Sequence, residues 1–352
     1  GSLALRAPSG GVVIAGTLNG KGGTHGEGSS LLVDTQAIDM GEIETLNAQD
    51  GFTGSIALRQ EGAGDLVVSA GQSLVATRIT LEADQGGVDI AGTLDTRSPT
   101  GGSVSIGASG TVSVEGSILA DATGYATRGG SIELDSSAGG TLLHTGSVLS
   151  VGGKGGSQTG TVLLRLPAAL AETVLTASPG SAALQMDGVI SGAAHTVVEG
   201  YHTYDTQGSV FAAYQNGGVI DAAVTTADPS NPIWSDAAAF GAEADAIAAA
   251  LGKGGDTTFA VLPGVEITST GDLNVVGTWD FSPANVGPNG YTWRFGPAGD
   301  LPGLLTLRAA GSLNLYGSLS DGFNGTSVYG GAFALQPGTG PSWSYRLVGG
   351  SD

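Results

Sequence analysis

The feature that most constrains this chain is a six-residue phrase of alternating apolar and polar residues that keeps returning. It reads SLALRA from Ser2, SIALRQ from Ser55, RITLEA from Arg78, SVSIGA from Ser103, SIELDS from Ser131, TVLLRL from Thr161 and LLTLRA from Leu304. From Ser55 onward the spacings are 23, 25, 28 and 30 residues, and the 53 residues between Ser2 and Ser55 make about two periods. Self-similarity at roughly 20–50 residues marks a solenoid, a propeller or an array. A second phrase follows the first: GVDIAGTLDT from Gly87, GTVSVEGSILAD from Gly110, GTLLHTGSVLSV from Gly140, GDLNVVGTWDF from Gly271 and GSLNLYGSLSDG from Gly311, with a looser copy, GVVIAGTLNG, from Gly11.

Each period holds two or three alternating segments of three to five residues, divided by Gly and polar turns. Alternation reads as strand with one buried face. A propeller blade needs four strands in about 40 residues, so about 25 residues with three short strands fit one rung of a solenoid better. The sequence therefore predicts an all-β, right-handed parallel β-helix whose rungs stack at ~4.8 Å. One rung buries too few aliphatic side chains to offset the entropy of ordering itself, so stability has to come from stacking. Gly is 63 of 352 residues without a Gly-X-Y period, which excludes collagen. Gly92, Gly116, Gly146, Gly277 and Gly317 share one phase of the repeat and are expected to form a corner ladder in strained or left-handed backbone.

The chain is not uniform. Residues 1–165 are regular aliphatic rungs, with only Phe52 and Tyr125 among the 20 aromatics before residue 200. The period breaks over 166–262. There Pro167 opens a short helix, VVEGYHTYDTQGSVFAAYQNGG reads as a Tyr-rich loop, and a helix is predicted over about 235–251. Ser235 or Asp236 would cap that helix, Phe240, Ala244, Ile247 and Leu251 would form its apolar face, and Gly252 would end it. Residues 263–352 resume the β-helix with aromatic insertions.

Charge narrows the partners. With 32 acids against 12 bases the net charge is −20, which repels phosphate backbones and anionic lipid, so no nucleic-acid partner is expected. No run of 18 apolar residues exists, so no membrane insertion is expected. There is no Cys for a disulfide or thiolate site, a composition that fits an exported bacterial surface protein. The opening Gly1-Ser2, without Met or signal peptide, reads as a cloning remnant on a fragment of a longer protein.

The segments PGVEITSTGDLNVVGTWDF, WRFG and PGLLTLRAAGSLNLYGSLSDGF resemble the C-terminal part of filamentous haemagglutinin-like large exoproteins, Gram-negative surface proteins exported by two-partner secretion. The resemblance is close over 260–325 and looser over 160–325; residues 1–165 share only the generic repeat style. It implies a β-helix on an extracellular adhesin-like filament, an outer-membrane secretion partner, and a host or bacterial surface receptor or glycan as ligand. That family's N-terminal secretion domain is not in this sequence.

Chemistry is sparse. Inverting glycosidases need two carboxylates about 6.5–9.5 Å apart, and pectin-cleaving β-helices carry adjacent aspartates and a Gly-His-Gly; neither pattern occurs. Lyases on this fold use Arg or Lys bases beside calcium carboxylates, whereas the basic residues here are scattered singly. Asp89 and Asp95 lie on either side of a corner and read as solvent-facing polar positions, with a carboxylate cleft or calcium site as the rival. His25, His144, His195 and His202 read as loop or surface residues rather than zinc ligands. GKGG at 20–23, 153–156 and 252–255 lacks the rest of a phosphate loop. No cofactor is expected, though the acidic surface leaves room for structural calcium. The aromatics Tyr201, Tyr204, Tyr214, Trp234, Trp279, Tyr291, Trp293 and Trp343 either glue the helix and loops to the solenoid or form a platform for a glycan or partner. The predicted function is a non-catalytic structural and adhesive segment, with a carbohydrate-binding module and a polysaccharide hydrolase or lyase as the alternatives.

Overall fold

The computed structural model of the chain describes residues 1–24, 26–124, 128–178, 180–208, 218–283, 285–287, 289–321, 323–328, 332–335 and 341–350. The chain divides into two compact units. The first holds Gly1–Val198 with Ala250–Ala260, and the second Glu199–Ala249 with Val261–Asp352.

The first unit is a parallel β-helix. Its long sheet stacks Ser2–Ala7, Ser30–Thr35, Ser55–Ala63, Arg78–Gln85, Ser103–Ala108, Ser131–Ser136 and Gly160–Pro167, one strand per rung. A second sheet stacks Leu66–Val68, Val88–Ile90, Val112–Val114, Thr141–Leu143 and Leu184–Met186. A third stacks Ser73–Val75, Thr93–Asp95, Ser117–Leu119, Val148–Ser150 and Val189–Ser191. Register follows the repeat. Leu58, Leu81, Ile106, Leu134 and Leu164 pair in one inward column of the long sheet, and Leu74, Leu94, Ile118, Leu149 and Ile190 in one column of the third. Most of these side chains are completely buried, each contributing about 1.5–3 kcal/mol of transfer free energy.

Stacking in register also governs the outer face. Arg6, Asp34, Arg59, Glu82, Gly107, Asp135 and Arg165 occupy one outward column. Like charges at one rung spacing would repel by about 1 kcal/mol in water and about 3–4 kcal/mol at an effective dielectric of 20. The column alternates in sign instead, and Gly107 separates Glu82 from Asp135. The Arg165 Nη1 donates to Asp135 Oδ2 at 2.8 Å, with Arg165 almost fully buried.

Two details depart from the sequence reading. The second rung carries a helix, Met40–Ala48, where short strands were expected. Asp39 caps it by accepting from the Gly41 and Glu42 amides, and Met40, Ile43 and Leu46 fill the core. The corner glycines, too, have a different reason. Of the five, only Gly146 has a left-handed backbone, at φ +96°. At Gly116 a Cβ would lie 1.9 Å from the Gly92 carbonyl oxygen, and at Gly317 it would lie 1.9 Å from that of Gly277. Close approach of the preceding rung demands glycine there, not unusual φ.

In the second unit the Val261–Ser269 part of the strand Phe259–Ser269, with Leu304–Ala309 and Ser344–Gly349, forms the long parallel sheet, Val219–Ile220, Leu273–Val275 and Leu313–Leu315 a second, and Trp279–Asp280 with Leu319–Ser320 a third. Phe323–Val328 and Ala332–Leu335 pair antiparallel. Part of the stretch read as a Tyr-rich loop is a strand, Ala193–Asp205; the β-branched and aromatic side chains of TVVEGYHTYD favour extended backbone. Pro167 precedes the short helix Ala168–Ala171. The long helix spans Pro232–Ala250, starting earlier than Ser235 because Asn231 is the cap. Its Oδ1 accepts from the Ile233 amide at 3.1 Å and its carbonyl from Ser235 at 2.9 Å, with Pro232 in the first turn. A Cβ at Gly200 would lie 2.1 Å from the Phe240 ring, so the helix rests directly on strand backbone. No described helix is long and apolar enough to cross a membrane.

Candidate functional site

Near the starts of the long-sheet strands of four successive rungs, Arg78, Ser103, Ser131 and Thr161 stand in register. The corners just before them are glycine-rich because the chain passes hard against the layer beneath: a Cβ at Gly102 would lie 1.8 Å from the Thr96 carbonyl oxygen, and one at Gly130 1.9 Å from that of Ala120. The result is a trough of about 700 Å³ that crosses the rungs, with few side chains on its floor. Arg78 and Arg128 project into it, both exposed. Neither makes an ion pair among the described residues, whereas Arg59, Arg97, Arg165, Arg294 and Arg308 each do. The hydroxyls of Ser103, Ser131 and Thr161 have no hydrogen-bond partner among the described residues. Glu27 is the one carboxylate among the described lining residues.

The sequence reading did not find this trough, because its two arginines stand singly along the chain. Arg78 and Arg128 are 50 positions apart, yet two rungs bring them to one groove. A signal was present: Arg78 occupies the first position of the repeated phrase, where Ser or Thr stands in the neighbouring copies.

The aromatic set separates into buried and exposed members. Trp279, Trp293 and Trp343 are at most 4% exposed and belong to the core of the second unit with Phe281 and Phe295. Phe281 lies 4.2 Å from Trp343 and Trp279 lies 5.1 Å from Trp293, centroid to centroid. Trp293 Nε1 donates to the Thr225 carbonyl at 2.8 Å, and Trp343 Nε1 to the Trp293 carbonyl at 2.9 Å. These three tryptophans have no free face for a sugar ring. Tyr201 and Tyr204 are buried in their strand, the Tyr204 hydroxyl donating to Asp236 Oδ2 at 2.8 Å. Trp234 is half-buried, donates to the Thr292 carbonyl and packs edge-on to Tyr291 at 4.9 Å. Tyr291, at 40% exposure, is the exposed member among the described residues of the set. Tyr214 lies outside the described residues.

Asp89 and Asp95 do not form a cleft; they lie in strands of the second and third sheets. Partial burial, then the charges of Glu115 and Asp65, push the Asp89 carboxyl up. Arg97 clasps Asp95 through Nε at 2.9 Å and Nη2 at 2.6 Å and holds it below the usual carboxylate range. His144 Nε2 meets Ser113 Oγ at 3.1 Å on the outer face of the second sheet. That is a nucleophile–base spacing, and Ser113 stands between the buried Val112 and Val114 on its strand. His195 is exposed, His202 is half-buried with its pKa lowered by desolvation, and His25 lies outside the described residues. No three His, Asp or Glu among the described residues are grouped to hold a metal ion. Lys154 of the second GKGG lies in a single 3₁₀ turn, and Gly252 and Gly255 of the third follow the C-terminus of the long helix with positive φ.

Comparison with protein-family models, curated proteins and solved structures finds no match to the chain.

Proposed function

We propose that this chain is a non-catalytic structural and adhesive segment of an extracellular, cell-surface exoprotein of the filamentous haemagglutinin-like kind. The observation that carries the reading is the composition of the trough: among the described residues, arginines without ion pairs and hydroxyls along four rungs, with one carboxylate where a hydrolase needs two. A lyase of this fold would need carboxylates for calcium beside its base, and the trough's donor set does not supply them. The resemblance over 260–325 supports the surface location and export through an outer-membrane partner. The columns of buried aliphatic side chains in the first unit support a structural role, because each rung is held by two neighbours.

The test has two arms. Beads coated with the chain are expected to adhere to glycan-bearing cell surfaces, and adherence no better than that of albumin-coated beads overturns the adhesive reading. Incubation with acidic and neutral polysaccharides is expected to release no reducing ends or unsaturated products. Release above a heat-denatured control overturns the non-catalytic reading.

A further inference from the structure

From the trough of the first unit we infer a binding site for an acidic glycan that carries a carboxylate on alternate sugars and lies along the solenoid axis. The inference rests on the reading of this groove as a non-catalytic site and names its ligand. Its first support is charge. The chain carries 32 acids and 12 bases, yet the described lining of this groove holds two arginines and one glutamate. Both guanidinium groups are free of ion pairs among the described residues. A guanidinium presents a planar fork of donors that matches a carboxylate.

Its second support is spacing. Arg78 heads its strand, and Arg128 stands three residues before Ser131, which pairs two rungs further on. The strand positions Arg78 and Ser131 are therefore separated along the axis by about 10 Å, twice the rung spacing, and Arg128 stands on the corner that leads into the second of them. One pyranose ring is about as long as one rung. Acids on every second sugar would then meet the two arginines, while the intervening sugar faces the hydroxyl of Ser103. Ser131 and Thr161 continue that row, and hydroxyls both donate to and accept from sugar hydroxyls.

Its third support is selection against denser polyanions. A net charge of −20 repels a chain with a charge on every unit, such as nucleic acid or a heavily sulfated glycan, more strongly than one with sparse carboxylates. Two arginines neutralise two carboxylates and no more.

Titration calorimetry with the intact chain tests this. The probe is a hexasaccharide in which glucuronate alternates with N-acetylglucosamine, and the control is the same hexasaccharide with its carboxyls reduced to alcohols. The native chain is expected to bind the acidic probe and to bind the reduced one at least about tenfold more weakly. Arg78→Ala and Arg128→Ala are each expected to lose about tenfold in affinity, and the double variant to show no measurable binding. All three should melt with the native protein, because both side chains are exposed. Arg97→Ala, which removes an arginine already clasped by Asp95, should leave binding unchanged. Equal binding of the reduced probe, an unaffected double variant, tighter binding of a heparin hexasaccharide or oligonucleotide, or no binding at all would each overturn the inference. Absence of binding while coated beads still adhere refutes this ligand and leaves the adhesive reading intact. Binding followed by cleavage of the probe refutes the non-catalytic reading and leaves the ligand class intact.

Discussion

The substitution Gly116→Ala tests the account of the corners. A Cβ at Gly116 would lie 1.9 Å from the Gly92 oxygen and 2.7 Å from the Ala91 oxygen, whereas ordinary contact begins near 3.4 Å. The rung would have to move by about 1.5 Å at a place where it is tied on both sides. Gly116 N donates to the Ile90 carbonyl at 2.8 Å, Ser117 N to the Gly92 carbonyl at 3.0 Å, and Val148 N to the Gly116 carbonyl at 3.0 Å. Losing three such bonds at a net value of about 1 kcal/mol each gives a destabilisation of about 3 kcal/mol. For a unit of this size that lowers Tm by about 6–12 °C. Gly107→Ala in the same rung is the comparison: its Cβ would meet only Glu82 Cγ, at 3.9 Å. With ordinary φ and open space, that change should stabilise by about 0.5 kcal/mol through the unfolded chain. Gly116→Asn separates close approach from left-handed backbone, because Asn tolerates positive φ. It should be at least as damaging as Ala. Scanning calorimetry reads all three. Gly116→Ala melting within about 2 °C of the native chain, or rescue by Asn, would refute the reasoning.

Three further outcomes are expected. Leu134→Ala, which opens a cavity in the middle of a fully buried column, should cost about 3–5 kcal/mol in urea denaturation. Asp321→Ala should cost about 3–5 kcal/mol, because it strips a buried Arg294 of its ion pair and the Trp343 amide of its acceptor; replacing both partners, Arg294→Met with Asp321→Leu, should cost less. Asp89→Asn should raise Tm at pH 7 and lose that advantage below about pH 4. The folded-state pKa of Asp89 is raised, so stability is full when its carboxyl is protonated and falls as pH climbs through that value. An advantage that persists at low pH would contradict the assigned cause.

Much of the solenoid was legible because its signal is local and repeated. Leu58, Leu81, Ile106, Leu134 and Leu164 sit at one phase of one phrase, so the period alone puts them in one column. The long helix was legible for the same reason, its apolar stripe being a property of consecutive residues. The helix Met40–Ala48 was not, because its nine residues hold fewer than three turns and sit where the repeat promised strands. Its clue was Asp39 ahead of Glu42, a capping pattern too short to outweigh the surrounding period.

Sequence by itself thus determined which residues face inward, since period-two alternation and a 23–30-residue repeat need no knowledge of neighbours. Only tertiary structure decided what meets across rungs. Parallel register depends on how many residues each corner consumes, and corner lengths vary while strand phrases do not. Stacking turned Arg6, Asp34, Arg59 and Glu82 into a column of alternating sign. It pressed Gly92 against Gly116, and it brought Arg78 and Arg128 to one trough. It also sorted the tryptophans, since whether an aromatic ring is core or surface depends on which rung covers it. That covering placed Trp279, Trp293 and Trp343 inside and left Tyr291 at the surface.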